Sequence, residues 1–147
     1  MKILFIITLF FLVSACSNIE NGDNQVANQS KQWQGYTRLT SEEITATFSD
    51  VIDHATVVDG AGGKATNHWF KDGRFTSQWK VANKSGALSG TWFVENDLRC
   101  VSIDGSAALA DFDVKSKRCG PIYAKNGKYY SVNKSGSVHG IHELTDL

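Results

Sequence analysis

The chain has 147 residues, which is enough for one domain with a single hydrophobic core. Its 15 Lys and Arg residues balance 15 Asp and Glu residues. This even, scattered charge argues against a nucleic-acid-binding footprint and against a polybasic membrane patch.

The first sixteen residues have the pattern of a lipoprotein signal. Lys2 precedes an apolar run from Ile3 to Val13, which is too short to cross a bilayer comfortably and has the length of a signal-peptide core. The run ends in Val13-Ser14-Ala15-Cys16, which resembles the bacterial lipobox at all four positions. This resemblance implies that Cys16 is modified with diacylglycerol, that the peptide is cut before it, and that the new amino group is acylated with palmitate. Two or three such chains would form a stable anchor. The alternative is an ordinary secretory signal cleaved near Ala15.

The residues after the lipobox suggest a membrane location and a flexible tether. Ser17, rather than Asp, follows Cys16, and in enterobacterial lipoproteins that choice implies sorting to the outer membrane. Residues 17–31 are rich in Asn, Gln and Ser and cannot bury enough apolar surface to become ordered. We therefore predict a signal peptide over 1–15, a lipidated Cys16 with a flexible tether over 16–38, and a single β-rich domain over 39–147. The domain would face the periplasm of a Gram-negative envelope, held to the membrane by its lipid.

One short helix is predicted near the start of the domain. Thr40 and Glu43 have the spacing of a capping box, and Leu39 and Ile44 have that of a hydrophobic staple. An apolar stripe at helical spacing follows, and it indicates a helix that ends at about Ser49–Ile52. The stripe consists of Ile44, Phe48 and either Val51 or Ile52. We interpret the helix as a lid packed on a sheet, and a partner-binding face is the alternative.

Short β-prone segments and turn sequences alternate through the rest of the chain. Lys71-Asp72-Gly73-Arg74 has the Asp-Gly preference of a type I′ hairpin, and the residues from Arg74 to Val81 alternate as in a half-buried strand. The glycine-rich stretch Asp59–Lys64 is interpreted as a turn, because strand-like residues rather than a helix follow it. The predicted strands are Thr56–Val58, Thr66–Phe70, Arg74–Val81, Ala87–Val94, one through Cys100, Pro121–Lys125, Lys128–Val132 and Val138–Leu144. The fold class is therefore mainly β: an antiparallel meander of about seven or eight strands, a curled sheet or small barrel with one N-terminal helix packed on it.

Two cysteines remain once Cys16 is assigned to lipid. Cys100 and Cys119 in an exported chain predict a disulfide, which would clip the long connection Asp104–Lys117 to the sheet. A redox pair would need closer spacing, such as Cys-x-x-Cys, and a metal site would need further Cys or His ligands nearby.

The sequence contains no motif specific enough to name a reaction. His139 and His142 are three residues apart and would point to opposite faces of a strand. Asp53-His54 is expected at the helix end, where histidine commonly satisfies terminal carbonyls. We predict no metal, no cofactor and no catalytic residue, and the Asp, His and Ser of a catalytic triad are present only as composition.

Aromatic residues are the most suggestive candidates for contact with a ligand. Aromatic side chains left on an open sheet face or at a barrel mouth would form a binding surface, whereas core packing is the alternative. The candidate ligand-contacting residues are Trp69, Trp79, Trp92 and Tyr129.

From Leu39 to Val132 the order of these features resembles a loose set of uncharacterised small exported proteins of Gram-negative bacteria. Those proteins combine a Leu-Thr-x-x-Glu-Ile helix, an Asp-Gly hairpin, a Gly-Thr-Trp strand and two cysteines. The matching residues here are Leu39-Thr40-Ser41-Glu42-Glu43-Ile44, Asp72-Gly73, Gly90-Thr91-Trp92, Cys100 and Cys119. The motifs are structural, so the resemblance implies no activity.

Three functional hypotheses follow. The leading one is a non-enzymatic binding or interaction module for an envelope protein or a small apolar ligand. The alternative is an inhibitor of a secreted hydrolase, a lysozyme or protease, with the Asp104–Lys117 connection as the inserting element. The third is an envelope enzyme that uses His68 or His139.

Overall fold

The computed structural model describes residues 32–60, 62–104 and 117–147. The compact unit spans Trp33–Leu147. The signal peptide, Cys16, the tether up to residue 31 and residues 105–116 of the long connection lie outside the described residues, so the predictions made for them stay predictions. The predicted start of the domain at residue 39 is wrong, because Thr37 and Arg38 already pair with the sheet and the Trp33 ring stacks on that of Tyr123.

The described chain is mainly β, as predicted, with ten strands and a helix. Two of the strands, β1 and β7, are two and three residues long and were not predicted, because so short a segment shows no alternation. In chain order the elements are β1 (Thr37–Arg38), α1 (Ser41–Phe48), β2 (Val51–Val57), β3 (Gly63–Trp69), β4 (Arg74–Val81), β5 (Lys84–Glu95), β6 (Leu98–Ile103), β7 (Arg118–Gly120), β8 (Ile122–Lys125), β9 (Lys128–Val132) and β10 (Val138–Asp146).

The strands form one antiparallel sheet in the order β1-β8-β9-β10-β2-β3-β4-β5-β6-β7. Pro121 alone separates β7 from β8, yet β7 pairs with β6 whereas β8 pairs with β9. This segment therefore connects strands from the two ends of the sheet, and the sheet curls around its core. Proline suits the position because it ends one ladder and begins another without needing to donate a hydrogen bond.

The helix begins as predicted and ends earlier than predicted. The Thr40 hydroxyl accepts a hydrogen bond from the Glu43 N–H at 3.3 Å, and the Glu43 carboxylate accepts one from the Thr40 N–H at 2.8 Å. The last helical residue is Phe48 rather than one in Ser49–Ile52, because Asp50 turns the chain at a φ of 57°. The prediction that Asp53-His54 lies at the helix end is therefore wrong, since both residues belong to β2.

The helix packs its apolar stripe into the concave side of the curled sheet, which we call the inner face. Ile44 and Phe48 are fully buried. A polar contact fixes the helix start, since the Ser41 N–H and hydroxyl donate to the Asp97 carboxylate at 2.7 and 2.8 Å. The main core cluster consists of Leu39, Ile44, Phe48, Trp69, Phe75, Trp92 and Ile122.

The predicted disulfide is confirmed. Cys100 on β6 and Cys119 on β7 are register partners, with their Cα atoms 4.0 Å apart. The bond therefore ties the short edge strand β7 to the body of the sheet.

Candidate functional site

A row of polar residues crosses the inner face of the sheet. Asp53 on β2 is in register with Asn67 on β3, which is in register with Ser77 on β4. The exposed fractions of these three residues are 0%, 8% and 6%. Alternation along the strands places them inside, where a purely structural core would carry apolar side chains.

The Asp53 carboxylate is the centre of this polar region. It accepts hydrogen bonds from Asn67 Nδ2 at 2.9 Å and from Trp69 Nε1 at 3.0 Å. It also lies 2.9 Å from Nδ1 of His142, which β10 contributes. Three donors from two strands, β3 and β10, therefore converge on one buried carboxylate.

His142 connects the carboxylate to a serine. Asp53 can only accept, so the His142 Nδ1 carries the proton and Nε2 is left as an acceptor. The Ser131 hydroxyl on β9 lies 2.9 Å from Nε2. Ser131, His142 and Asp53 therefore form a hydrogen-bonded array of the Ser-His-Asp type, which chain order alone did not reveal.

Arg99 on β6 completes the group from the helix side. Its guanidinium lies over the rings of Phe48 and Trp69, at 4.4 and 4.6 Å from their centres, and its Nη2 is 3.5 Å from Nε2 of His142. Its Nη1 is buried and has no hydrogen-bond partner among the described residues. We call Asp53, Asn67, Arg99, Ser131 and His142 the inner polar cluster.

The charge states of the cluster follow from burial and from these contacts. Burial opposes ionisation of Asp53, but the hydrogen bond and charge of His142 and the charge of Arg99 outweigh it and hold the pKa of Asp53 below 3.8. Burial and then the neighbouring charge of Arg99 lower the pKa of His142 below 6.5. Burial lowers the pKa of Arg99 to about 10, against the attraction of Asp53. At neutral pH the cluster therefore holds one carboxylate, one guanidinium and a neutral imidazole.

The inner face is sealed at the helix end and more open at the opposite end. Trp69, Phe75 and Trp92 near the helix are at most 5% exposed. At the opposite end the inward-facing residues are partly exposed, and we call this region the open end. It is lined by Val57, Ala65, Trp79 and Val81.

Trp79 is placed at the open end by a glycine. It is in register with Gly86, and a Cβ at Gly86 would lie 2.7 Å from the indole ring, so only glycine lets the ring lie against β5. The indole Nε1 is buried and has no hydrogen-bond partner within the described part of the chain. Trp79 therefore brings an unused donor to this end of the inner face.

The four predicted aromatic residues all face inward but lie in different environments. Trp69 and Trp92 belong to the sealed core, and Tyr129 packs against that core with its ring 5.8 Å from that of Phe48. Trp79 alone of the four lies at the open end.

The histidines named in the sequence analysis do not meet at a shared metal site within the described residues. His139 is half-exposed and lies 2.7 Å from Asp59, whereas His142 points inward, so the predicted opposite orientation of this pair is confirmed. Among the described residues, the group with metal-like proximity is Glu95 with Cys100 and Cys119, and its two sulfur atoms are already bonded to each other.

The residues that sequence reasoning missed are Asp53, Asn67, Arg99, Ser131 and His142 as a set. A signal existed for one of them. If β2 is started at Val51, its alternation puts Asp53 on the same face as Ala55, and an inward aspartate is unusual enough to mark a site. The partners required the register of five strands.

Comparisons of the chain with protein-family models, curated proteins and solved structures find no match. Within residues 32–60, 62–104 and 117–147, no helix is long and apolar enough to cross a membrane.

Proposed function

We propose that this protein is a lipid-anchored binding module of the outer membrane that takes a small molecule into the open end of its curled sheet. The observation that carries the proposal is the inner polar cluster, which lies below a partly exposed apolar rim. The lipobox at Cys16 supports the membrane location, and the tether would hold the domain on the periplasmic side.

Energetics favour a functional role for the cluster. Enclosing a carboxylate and a guanidinium in a small domain carries a desolvation cost that their attraction rarely exceeds, and apolar replacements are often as stable. Buried donors are almost always paired in native proteins. Arg99 Nη1 and Trp79 Nε1 depart from this rule on the same inner face, and both are buried donors for which a ligand would supply the acceptor.

The lining suggests the chemistry of the ligand. Val57, Ala65, Trp79 and Val81 offer an apolar wall, which fits the apolar part of a small molecule. The free N–H groups of Trp79 and Arg99 require a hydrogen-bond acceptor. The proposed ligand is therefore an apolar molecule that carries a carbonyl or carboxylate group.

The inhibitor alternative depends on residues 105–116, which lie outside the described residues. The inhibitor alternative therefore stays a prediction.

Binding can be tested by mass spectrometry. Residues 17–147, with the disulfide formed, are incubated with an organic extract of bacterial envelopes, separated by gel filtration and analysed under native conditions. We expect a one-to-one complex with a small molecule that the variant Ala65→Trp, which fills the open end, no longer retains.

The matched control is Thr66→Trp, which adds the same ring to the outer face of the same strand and should bind like the wild type. Equal retention by the two variants, or no retained molecule on the wild type, would contradict the proposal. A stoichiometric protein partner captured from detergent-solubilised envelope would instead establish a protein-interaction module.

A further inference from the structure

The array formed by Ser131, His142 and Asp53 has the contacts that activate a serine. The Ser131 hydroxyl is closer to His142 Nε2, at 2.9 Å, than to the carbonyl of Gly140, at 3.5 Å, so Nε2 is its preferred acceptor. On the other side of the ring, Nδ1 donates to Asp53, which fixes the tautomer in which Nε2 can take a proton. Nucleophile, base and orienting carboxylate are thus joined in sequence.

Glycine keeps one side of this array clear. A Cβ at Gly140 would lie 3.0 Å from Ser131 Oγ and 3.2 Å from His142 Nε2. The ladder between β9 and β10 is irregular between Val138 and Gly140, directly beside the serine. Such irregularities are common next to active sites, where they redirect a side chain. Any larger residue at position 140 would crowd the two reacting atoms.

Arg99 supplies an electrophilic group next to the base. Its Nη2 is 3.5 Å from Nε2 of His142, and its buried Nη1 has no partner within the described ranges. A fixed donor in a water-poor site stabilises negative charge on oxygen far better than water does. The guanidinium is held in place by the rings of Phe48 and Trp69.

We propose that Ser131 is a nucleophile and that the small molecule bound at the open end is a carboxylic ester. This inference rests on the proposed function, because the ester must enter between the residues of the open end to reach the serine. His142 is the general base, Arg99 is the oxyanion donor, and Asp53 is a positioning residue that acts through His142.

The reaction balances with water as the co-reactant. Ser131 Oγ bonds to the ester carbonyl carbon while its proton passes to His142 Nε2, and the carbonyl oxygen becomes an oxyanion near Arg99. The bond to the leaving alcohol then breaks, and the alcohol takes the proton from His142, which leaves an acyl-serine. Water attacks the acyl carbon, gives its proton to His142 and releases the acid, and His142 returns the proton to Ser131.

The test is covalent labelling of the full chain, purified from the membranes of a Gram-negative host. A fluorophosphonate with an alkyl chain is the probe, and intact-mass and peptide analysis locate the adduct. We expect one adduct on Ser131, none on the Ser131→Ala variant, and a labelling rate for His142→Asn reduced by roughly 10²-fold or more. Ser77→Ala is the matched control, because Ser77 is also a buried serine of the inner face, and it should label like the wild type.

A second readout separates catalysis from a structural role. Hydrolysis of p-nitrophenyl butyrate should increase with pH as His142 loses its proton, and Asp53→Asn should change that pH profile. If Asp53→Asn does not fold, the labelling of Ser131→Ala and Ser77→Ala still tests whether Ser131 is the nucleophile. Wild-type chain that retains a small molecule but forms no adduct would overturn this inference and leave the binding proposal standing, whereas absence of both would overturn the two together.

Discussion

Asp53 and His142 lie diagonally across the ladder between β2 and β10. His142 is in register with Ala55, and Asp53 is in register with Leu144, yet Nδ1 of the imidazole lies 2.9 Å from the carboxylate. Both side chains point inward, so the pair spans two rungs of the inner face. This diagonal leaves Nε2 free to meet Ser131 from the next strand, β9. The central contact of the candidate site is therefore a product of strand register.

Replacing Asp53 tests how strongly the cluster depends on its carboxylate. Asp53→Asn would leave an amide facing the donors of Asn67, Trp69 and His142, and would remove the charge that offsets Arg99. Breaking a buried charged pair on one side usually costs about 3 kcal/mol or more, and we expect a loss of this order in urea unfolding. Asp146→Asn, at the exposed end of β10, should change stability by only a few tenths of a kcal/mol.

His142 should make stability depend on pH. Burial, and then the charge of Arg99, lower its pKa in the folded chain below its ordinary value of 6.5. Between that lowered pKa and 6.5 the unfolded chain binds a proton that the folded chain does not, so the free energy of unfolding falls as the pH is lowered through this window. The lowered pKa of Asp53 adds a further loss of unfolding free energy below pH 3.8.

The measurement is urea unfolding at several pH values between 4 and 8. His142→Asn keeps a donor facing Asp53 but cannot titrate, so it should lose the dependence in the window below 6.5. His54→Asn, on the exposed outer face of β2, should keep it. If the free energy of unfolding had the same pH profile in wild type and His142→Asn, His142 would not be the cause of the pH dependence.

The disulfide should stabilise the domain through its unfolded state. Cys100 and Cys119 are 19 residues apart, and closing a loop of this length is worth about 3 kcal/mol in the chain-entropy model. The double variant Cys100→Ser/Cys119→Ser should lose stability of this order in urea unfolding, and addition of a reductant should have the same effect on the wild type only. A reductant effect that persists in the double variant would exclude the disulfide as its cause.

The helix cap should contribute a smaller amount. Thr40→Ala removes the acceptor for the Glu43 N–H, and lost caps of this kind cost about 1 kcal/mol. Thr45→Ala is the control on the exposed side of the same helix, where alanine has the higher helix propensity. Thermal unfolding of both variants compares them directly, and an equal effect would show that the capping box is not a significant determinant of stability.

Local features of the fold were predictable because each is contained in a few consecutive residues. The capping box needs only Thr40 and Glu43, and the existence of the hairpin needs only Asp72 and Gly73. The predicted type I′ turn is wrong, because that type needs a positive φ at both residues and only Gly73 has one. The disulfide followed from the two cysteines that remain, in a chain predicted to be exported, once Cys16 is assigned to lipid. Strand starts were less predictable: β5 begins at Lys84 because pairing with Val81 extends the ladder into residues of low β propensity.

The site was not predictable for a physical reason. Ser131, His142 and Asp53 acquire their relationship only when β9, β10 and β2 are neighbours in a given register, and β10 follows β2 by some eighty residues of chain. The wrong prediction for the helix end also hid Asp53. It placed Asp53 at the end of a helix instead of on a strand, so the face of the sheet that carries its side chain could not be predicted. A shift of one residue in any of the three strands would turn its member of the array outward.

Indole N–H resonances test the central claim, that the open end takes up a small molecule, most directly. The chain has four tryptophans, and each gives one such signal in a nitrogen–proton spectrum. On addition of the envelope extract, we predict a shift of the Trp79 signal, because its Nε1 is an unused donor at the open end, and no shift of the Trp92 signal, because its Nε1 already donates to the Phe70 carbonyl at 2.7 Å. Assignment by Trp79→Phe and Trp92→Phe makes the result unambiguous. An unchanged Trp79 signal in the presence of a bound molecule would contradict the account.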